Sequence, residues 1–133
     1  MSGNDVYVAG LEEVVNRCTA KLWKNGIVQN LSSVNSGANS VFVSGNDVYV
    51  AGWEGGGRGG KLWKNGVVQT LTDDGASDGK AKSVFVSGNE VYIVGEIYYD
   101  ASGWRAKLWK NGIVQNLDIN LTKGSIACSV FVN

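Results

Sequence analysis

Short apolar runs, separated by turns rich in glycine and asparagine, recur along the whole chain. Four kinds of run follow one another in a fixed order: A (SVFV), B (DVYVAG), C (KLWK) and D (IVQNL). Run C starts at Lys21, Lys61 and Lys107, so the unit repeats every 40 to 46 residues. Four short strands at this period are typical of a β-propeller blade. We therefore predict an all-β fold, a β-propeller with three four-stranded blades per chain, with a solenoid or a double sheet as the alternatives.

Asparagine and glycine stand between runs C and D in every unit, at 25–26, 65–66 and 111–112. Asn-Gly between two apolar runs predicts a β-hairpin, because a type I′ turn needs positive φ at both central residues. Runs A and B are joined by Ser-Gly-Asn-Asp or Ser-Gly-Asn-Glu, which predicts a second short turn. Runs A, B and C do not alternate cleanly between apolar and polar positions. This indicates sheets that are covered on both faces.

The runs follow the order B-C-D, A-B-C-D, A-B-C-D, A within a single domain, 1–133, with units at about 2–43, 44–86 and 87–133. Run B at 5–9 has no run A before it, and run A at 129–132 has no run B after it. Three blades do not close easily, since propellers usually have about four to eight. We predict a homodimer that closes one six-bladed ring by exchanging this strand. The residues predicted to close it are Val6, Tyr7, Val8, Val130, Phe131 and Val132.

Other assemblies remain open at this point. Three copies would make a nine-bladed ring, and the chain would also suit a piece of a longer propeller. An engineered repeat chain without any ligand is a further alternative, because the strands of the three units are nearly identical.

The units VFVSGNDVYVAG and AKLWKNGIVQNL resemble blades of bacterial β-propeller repeat proteins, most of which have no assigned function. The chain lacks the Trp-Asp and Gly-His dipeptides of WD40 repeats and the repeated double glycine of kelch repeats. The resemblance implies the propeller fold. Several propeller lectins assemble from short multi-blade chains, so a lectin-like module is an alternative by analogy of shape.

Charge and composition argue against several classes of function. Twelve basic and twelve acidic residues leave no net charge, which disfavours nucleic acid and anionic membranes as partners. The chain has no histidine, so a histidine general base or metal ligand is impossible. We expect no enzyme activity, no cofactor and no metal. The N-terminal residues do not resemble a signal peptide, so the cytoplasm is the default location.

The B–C and D–A connections differ among the units, whereas the short turns at the other end are alike. Loops on a rigid scaffold commonly carry binding residues, although unconstrained drift explains such divergence equally well. We expect a protein partner or a glycan to contact aromatic and arginine side chains on this loop face. The candidates are Trp53, Tyr98, Tyr99, Trp104, Arg17, Arg58 and Arg105.

The aromatic candidates would alternatively fold down onto the core. The arginines would form a ring suited to carboxylate or sulfate groups, or pair with nearby acids such as Glu12, Glu54 and Glu96. By contrast, Trp23, Trp63 and Trp109 stand in the middle of run C and are predicted to be core. In the predicted dimer, the two cysteines, Cys18 and Cys128, would lie two strands apart in one composite blade. That separation exceeds the reach of a disulfide, so both are predicted to be free thiols.

Overall fold

A computed structural model describes residues 4–55, 59–71, 78–99 and 103–116. All regular structure in these ranges is β-strand, which confirms the predicted all-β class. The strands are β1 (Tyr7–Val14), β2 (Arg17–Lys24), β3 (Ile27–Asn30), β4 (Ser36–Ser44), β5 (Asp47–Glu54), β6 (Gly60–Lys64), β7 (Val67–Thr70), β8 (Asp78–Ser87), β9 (Glu90–Tyr99), β10 (Gly103–Lys110) and β11 (Ile113–Asn116).

The strands form three antiparallel sheets in which neighbours along the chain are neighbours in the sheet. Sheet 1 has the order β1-β2-β3, sheet 2 the order β4-β5-β6-β7 and sheet 3 the order β8-β9-β10-β11. Runs A, B, C and D of one unit therefore lie in β4 to β7, and those of the next in β8 to β11. In sheet 1 the first strand is β1, which carries run B. Run A at 129–132 lies outside the described residues.

The predicted Asn-Gly turns are confirmed, since both residues have positive φ in every unit: 51° and 81° at Asn25-Gly26, 52° and 83° at Asn65-Gly66, and 55° and 86° at Asn111-Gly112. Each asparagine also docks on the neighbouring strand. Its backbone N–H donates to the carbonyl of the valine that follows the acidic residue of run B, at 2.8 Å. Its Oδ1 accepts from the N–H of that same valine at 2.8–2.9 Å. The asparagine thus connects the hairpin formed by runs C and D to the strand that carries run B.

We expect Asn65→Gly to lower the free energy of unfolding by about 1–2 kcal/mol, because it keeps the positive φ but removes two side-chain hydrogen bonds. These bonds join Oδ1 to Val48 N–H at 2.9 Å and Nδ2 to Asp47 Oδ1 at 3.0 Å. Asn46→Gly is the matched control: it adds the same backbone freedom in the neighbouring turn, where the asparagine side chain makes no hydrogen bond in the structure. Urea unfolding of the two variants measures the difference. Equal losses would contradict the docking role.

Sheets 1, 2 and 3 pack in chain order, with sheet 2 in the middle. We call the face that carries the tryptophan of run C the front face of each sheet, and the opposite one the rear face. Val50 and Trp63, on the front of sheet 2, pack against Leu22 of sheet 1. Tyr49 and Leu62, on the rear of sheet 2, pack in a second cluster with residues of sheet 3. Both faces of β5 are therefore buried, which explains why its sequence does not alternate.

The strands that carry run A approach one another across the stack. The rings of Phe42 in β4 and Phe85 in β8 have centroids 4.8 Å apart. Asn39 Nδ2 donates to the Ala81 carbonyl at 2.9 Å, and the Val84 N–H donates to Ser40 Oγ at 3.3 Å. In the described part of the chain, the substantial contacts between sheets all involve β4 or β8. The sheets are thus joined mainly along one edge, the edge formed by run A.

Candidate binding site

The B–C connections are shorter than the sequence predicts, because strands continue into them. Strands β1 and β2 stay paired out to Val14 and Arg17, where Val15 and Asn16 turn with φ of 36° and 65°. Strands β9 and β10 stay paired out to Tyr99 and Gly103. The prediction that the four aromatic candidates lie in loops is therefore wrong. Cross-strand pairing extends these hairpins although their sequences differ between units.

The described aromatic rings at this end contact other side chains of the chain. Trp53 in β5 is half-buried and lies against Gly37, where an added Cβ would stand 2.6 Å from its Nε1. Lys80 Nζ lies 5.6 Å from the centre of the same ring. Tyr98 and Trp104 face each other across β9 and β10 with centroids 5.2 Å apart and tilted rings. Tyr99 ends β9, and its side chain lies outside the described residues.

The three arginine candidates do not occupy equivalent positions. Arg17 is exposed and pairs with Val14 at the tip of its hairpin. Arg105 pairs with Ile97 further along the sheet, two residues before the lysine of run C, where sheet 1 has Thr19. It is only 1% exposed. Arg58 lies outside the described residues. The predicted arginine ring therefore does not follow from the repeat, since the neighbouring sheet decides which arginine is buried.

Three described acids near this end, Glu12, Glu96 and Glu54, contact lysine or hydroxyl groups. Glu12 Oε1 lies 3.7 Å from Lys21 Nζ, and Glu96 Oε1 lies 3.3 Å from Lys82 Nζ. Glu54 Oε2 accepts from Ser32 Oγ at 2.6 Å, which links sheet 2 to the segment after β3. The carboxylates are thus already occupied by groups that sequence reasoning did not single out.

A polar recess of about 410 Å³ lies on the front face of sheet 1. Lys21 at its floor donates to the Asn30 side chain as well as facing Glu12. The recess joins charges of both signs with hydroxyl groups, and its walls are Glu12, Arg17, Thr19, Lys21, Asn30, Leu31, Ser32 and Ser33. Of the predicted site residues, only Arg17 contributes to it.

Next to this recess, the apolar part of the same front face is uncovered. Val8 is 52% exposed, whereas the equivalent Val50 and Ile93 of sheets 2 and 3 are 1% and 0% exposed. Trp23 is half-buried, whereas Trp63 and Trp109 are fully buried. In addition, β1 pairs only with β2, and the edge that β4 and β8 cover in the other sheets has no partner among the described residues.

Of the residues predicted to close the ring, Val6 and Val8 are exposed, but Tyr7 packs against the cluster between sheets 1 and 2. Its ring therefore lies on the rear of sheet 1, because successive strand residues point to opposite faces. The remaining three, at 130–132, lie outside the described residues. Cys18 is a half-buried free thiol whose backbone N–H donates to Asn35 Oδ1 at 3.2 Å, and Cys128 lies outside the described residues.

A lysine lies over a tyrosine ring in all three sheets, with Nζ 5.6–5.7 Å from the ring centre: Lys24 over Tyr7, Lys64 over Tyr49 and Lys110 over Tyr92. In sheet 3 the tyrosine hydroxyl also donates to Glu90 Oε2 at 2.8 Å, and Lys110 lies 3.3 Å from Glu90 Oε1. The hydroxyl and the lysine lower the pKa of Glu90, and the carboxylate raises the pKa of Tyr92. The lysine–tyrosine pair repeats beside the Asn-Gly turn of every sheet, which suits a structural role in the turn.

The described part of the chain contains no group of three or more cysteine, aspartate or glutamate residues placed to hold a metal ion. It also contains no helix whose length and hydropathy would let it cross a membrane. Comparison of the chain with models of known protein families, with curated proteins and with solved structures finds no match.

Proposed function

We propose that this chain is a non-enzymatic binding or scaffold protein that assembles as a homodimer, in which each copy supplies three blades of a six-bladed β-propeller. Three consecutive antiparallel sheets that contact one another along the edge formed by run A support the blade arrangement. The observation that carries the dimer is the uncovered front face of sheet 1. Its residues repeat in sheets 2 and 3, where the preceding sheet buries them completely.

The occupant that fits this face is a second copy of the chain. What covers the front of sheets 2 and 3 is a sheet of the same repeat, so a further sheet of that repeat has the required shape. The register between β4 and β5 sets 41–43 opposite 48–50. In that register, run A of the second copy would set 130–132 opposite 6–8, along the open edge of β1. Two such contacts, related by a two-fold axis, close the ring.

Closure would also remove a hazard. An unpaired strand edge beside exposed valine side chains is a template for uncontrolled association. Closure would pair that edge with run A and bury Val8, so both the open strand edge and the exposed apolar surface would be covered. The polar recess beside Val8 would then lie at the seam between the two copies, so its charged groups would take part in the contact.

The end of the sheets away from the Asn-Gly turns is the proposed binding surface. The connections there differ between units, whereas the Asn-Gly turns at the other end keep one geometry. Variable connections on a constant scaffold are typical of a recognition surface. We propose a protein partner over a glycan, because the described aromatic rings already contact Lys80 or each other. Two-fold symmetry would present this surface twice.

Light scattering coupled to size exclusion tests the dimer directly. We expect a single species at about twice the 14.1 kDa chain mass. Val8→Glu should reduce it to the mass of one chain, because a carboxylate at the seam would be buried without a partner. Val68→Glu is the matched control, since Val68 is 46% exposed on the outer strand of sheet 2 and Val8 is 52% exposed.

The control variant should keep the double mass. A wild-type chain that is folded and monomeric at 14.1 kDa would overturn the proposal. Identical behaviour of Val8→Glu and Val68→Glu would show that the front face of sheet 1 is not the contact.

A further inference from the structure

Arg105 is a buried cation without a hydrogen-bond partner among the described residues. Its side chain is 1% exposed, and Nε, Nη1 and Nη2 are all buried without a hydrogen bond. The other buried cationic side chains differ from it: Lys21 has Asn30 and Glu12, and Lys107 also has a partner. An arginine in this state is uncommon, since buried polar groups are nearly always hydrogen-bonded.

The register of sheet 3 places this side chain between sheets 2 and 3. Gly79, Ile97 and Arg105 form one row across β8, β9 and β10. Residues opposite each other in an antiparallel pair lie on the same face, and Ile97 belongs to the core cluster between sheets 2 and 3. Arg105 lies near the start of β10, and therefore at the end of the sheet away from the Asn111 turn.

Glycines line the facing part of sheet 2. Gly59 and Gly60 are buried, and a Cβ added at Gly60 would stand 3.6 Å from Leu71 Cδ1 and 3.9 Å from Trp109 Cζ2. These are ordinary contact distances, so a methyl-sized space is left unfilled there. A Cβ at Gly79 would stand 3.8 Å from the backbone nitrogen of Gly60. The two sheets thus approach through backbone, with no side chain of these positions to neutralise the guanidinium.

Two described acids at this end of the sheets, Glu96 and Glu54, are not available to Arg105. Glu96 neighbours Ile97 on β9 and therefore points to the rear of sheet 3, where Lys82 pairs with it. Glu54 lies on the front of sheet 2 and accepts from Ser32, on the far side of that sheet. Arginine cannot shed its proton to avoid the cost of burial. A guanidinium buried without a counter-charge is strongly destabilising.

We propose that Arg105 anchors an oxyanion site between sheets 2 and 3, which binds a carboxylate, sulfate or phosphate group through its fork of N–H donors. Guanidinium matches two oxygens of such a group at once, and a water-excluded setting strengthens the charged hydrogen bonds. The site stands independently of ring closure, because sheets 2 and 3 both belong to one copy.

Thermal unfolding in sulfate tests the site, at constant ionic strength maintained with chloride. We expect wild-type Tm to rise and then saturate, because an anion bound only by the folded chain lowers the unfolding equilibrium constant about a hundredfold at 100 times its Kd. Arg105→Leu should have a higher Tm than wild type without sulfate, since the unpaired charge is gone, and should show no saturable response. Lys64→Leu is the matched control: Lys64 is an exposed cation beside the Asn65 turn, at the other end of the sheets, so this variant should respond as wild type does.

Sulfate also stabilises proteins generally by exclusion from their surfaces, so only the difference between the Arg105 and Lys64 variants counts. Arg105→Lys keeps the charge but loses the fork, and we expect at least a tenfold weaker sulfate response. Calorimetric titration of sulfate into wild type should give one site per chain, and it decides the matter if Arg105→Leu does not fold. A parallel acetate series separates the sources: an equal response indicates a carboxylate ligand, a weaker one a tetrahedral oxyanion.

Two results would overturn the proposal. One is an equal sulfate response in wild type and Arg105→Leu. The other is a wild type without saturable response and an Arg105→Leu variant that is less stable, which would mean that the arginine is satisfied by the chain itself.

Discussion

Replacing Gly52 with alanine is expected to lower the free energy of unfolding by about 3 kcal/mol or more, at the upper end of overpacking effects. A Cβ at this position would stand 2.1 Å from the Gly37 carbonyl oxygen and 3.0 Å from the Ala38 Cα. Both atoms belong to the backbone of β4, so relief requires β4 to move away from β5. This would separate run A from run B and open the edge along which the sheets are joined. Gly95 is in the same situation, with Lys80 O at 2.0 Å.

Gly10→Ala is the matched control, because Gly10 holds the same place in sheet 1, where no described strand covers the edge of β1. An added Cβ there meets the Trp23 ring at 3.1 Å and no backbone. Within one copy the change should cost about 1 kcal/mol or less, since a ring can shift where a strand cannot. In the proposed dimer, however, run A of the second copy would occupy this edge. We therefore expect Gly10→Ala to lower the solution mass to that of one chain.

Urea unfolding of Gly52→Ala and light scattering of Gly10→Ala measure these effects. A Gly52→Ala chain as stable as wild type would contradict the close approach of β4 to β5. A Gly10→Ala chain that keeps the double mass would contradict strand pairing at β1, but it would leave the packing of Val8 to be tested by Val8→Glu.

Replacing Trp63 with alanine is the second large expected effect, about 3–5 kcal/mol of lost stability. The Trp63 ring is fully buried between sheets 1 and 2. Its Nε1 also donates to the Leu31 carbonyl at 3.1 Å, so the variant leaves both a cavity and an acceptor without its donor. Sheet 1 is held to sheet 2 largely through this cluster. We expect the loss to appear as an early unfolding transition of sheet 1 in hydrogen exchange.

Trp23→Ala is the control, because the same residue type stands at the same place in sheet 1 but is only half-buried. In dilute solution the change should cost clearly less than Trp63→Ala. At higher concentration it should weaken assembly, as the front face of sheet 1 loses its largest side chain. Equal stability losses for the two variants in a monomeric sample would contradict the difference in burial.

Local sequence accounts for much of this fold. Asn65 and Gly66 adopt positive φ because asparagine and glycine are the residue types that reach this conformation at the lowest energetic cost. The turn therefore needs no contact from another sheet. The division into runs follows from the repeat, and so does the expectation that Trp63 is core. The repeat shows that position 52 is a glycine, but the reason is visible only in the structure. A Cβ there would stand 2.1 Å from a backbone carbonyl oxygen.

The candidate site was less predictable, because its residues owe their surroundings to other strands. Trp53, Tyr98 and Trp104 lie in strands and not in loops, since cross-strand pairing continues past the repeated runs. Arg17 and Arg105 stand in similar connections, yet one is exposed and the other is 1% exposed. Arg105 stands two residues further into its strand than Arg17 does, and sheet 2 covers the front of sheet 3 there, whereas no described sheet covers the front of sheet 1.

The sequence by itself therefore determined the repeated runs, the Asn-Gly turns and their order, because these depend on neighbours a few residues apart. Only the tertiary structure decided which identical residues are buried. Val8 and Val50 hold the same position in two identical copies of the nine-residue segment SGNDVYVAG, yet they are 52% and 1% exposed. Whether a side chain is buried depends on the sheet that packs against it. A repeated sequence gives every sheet the same apolar face, but it does not show which of those faces has another sheet against it.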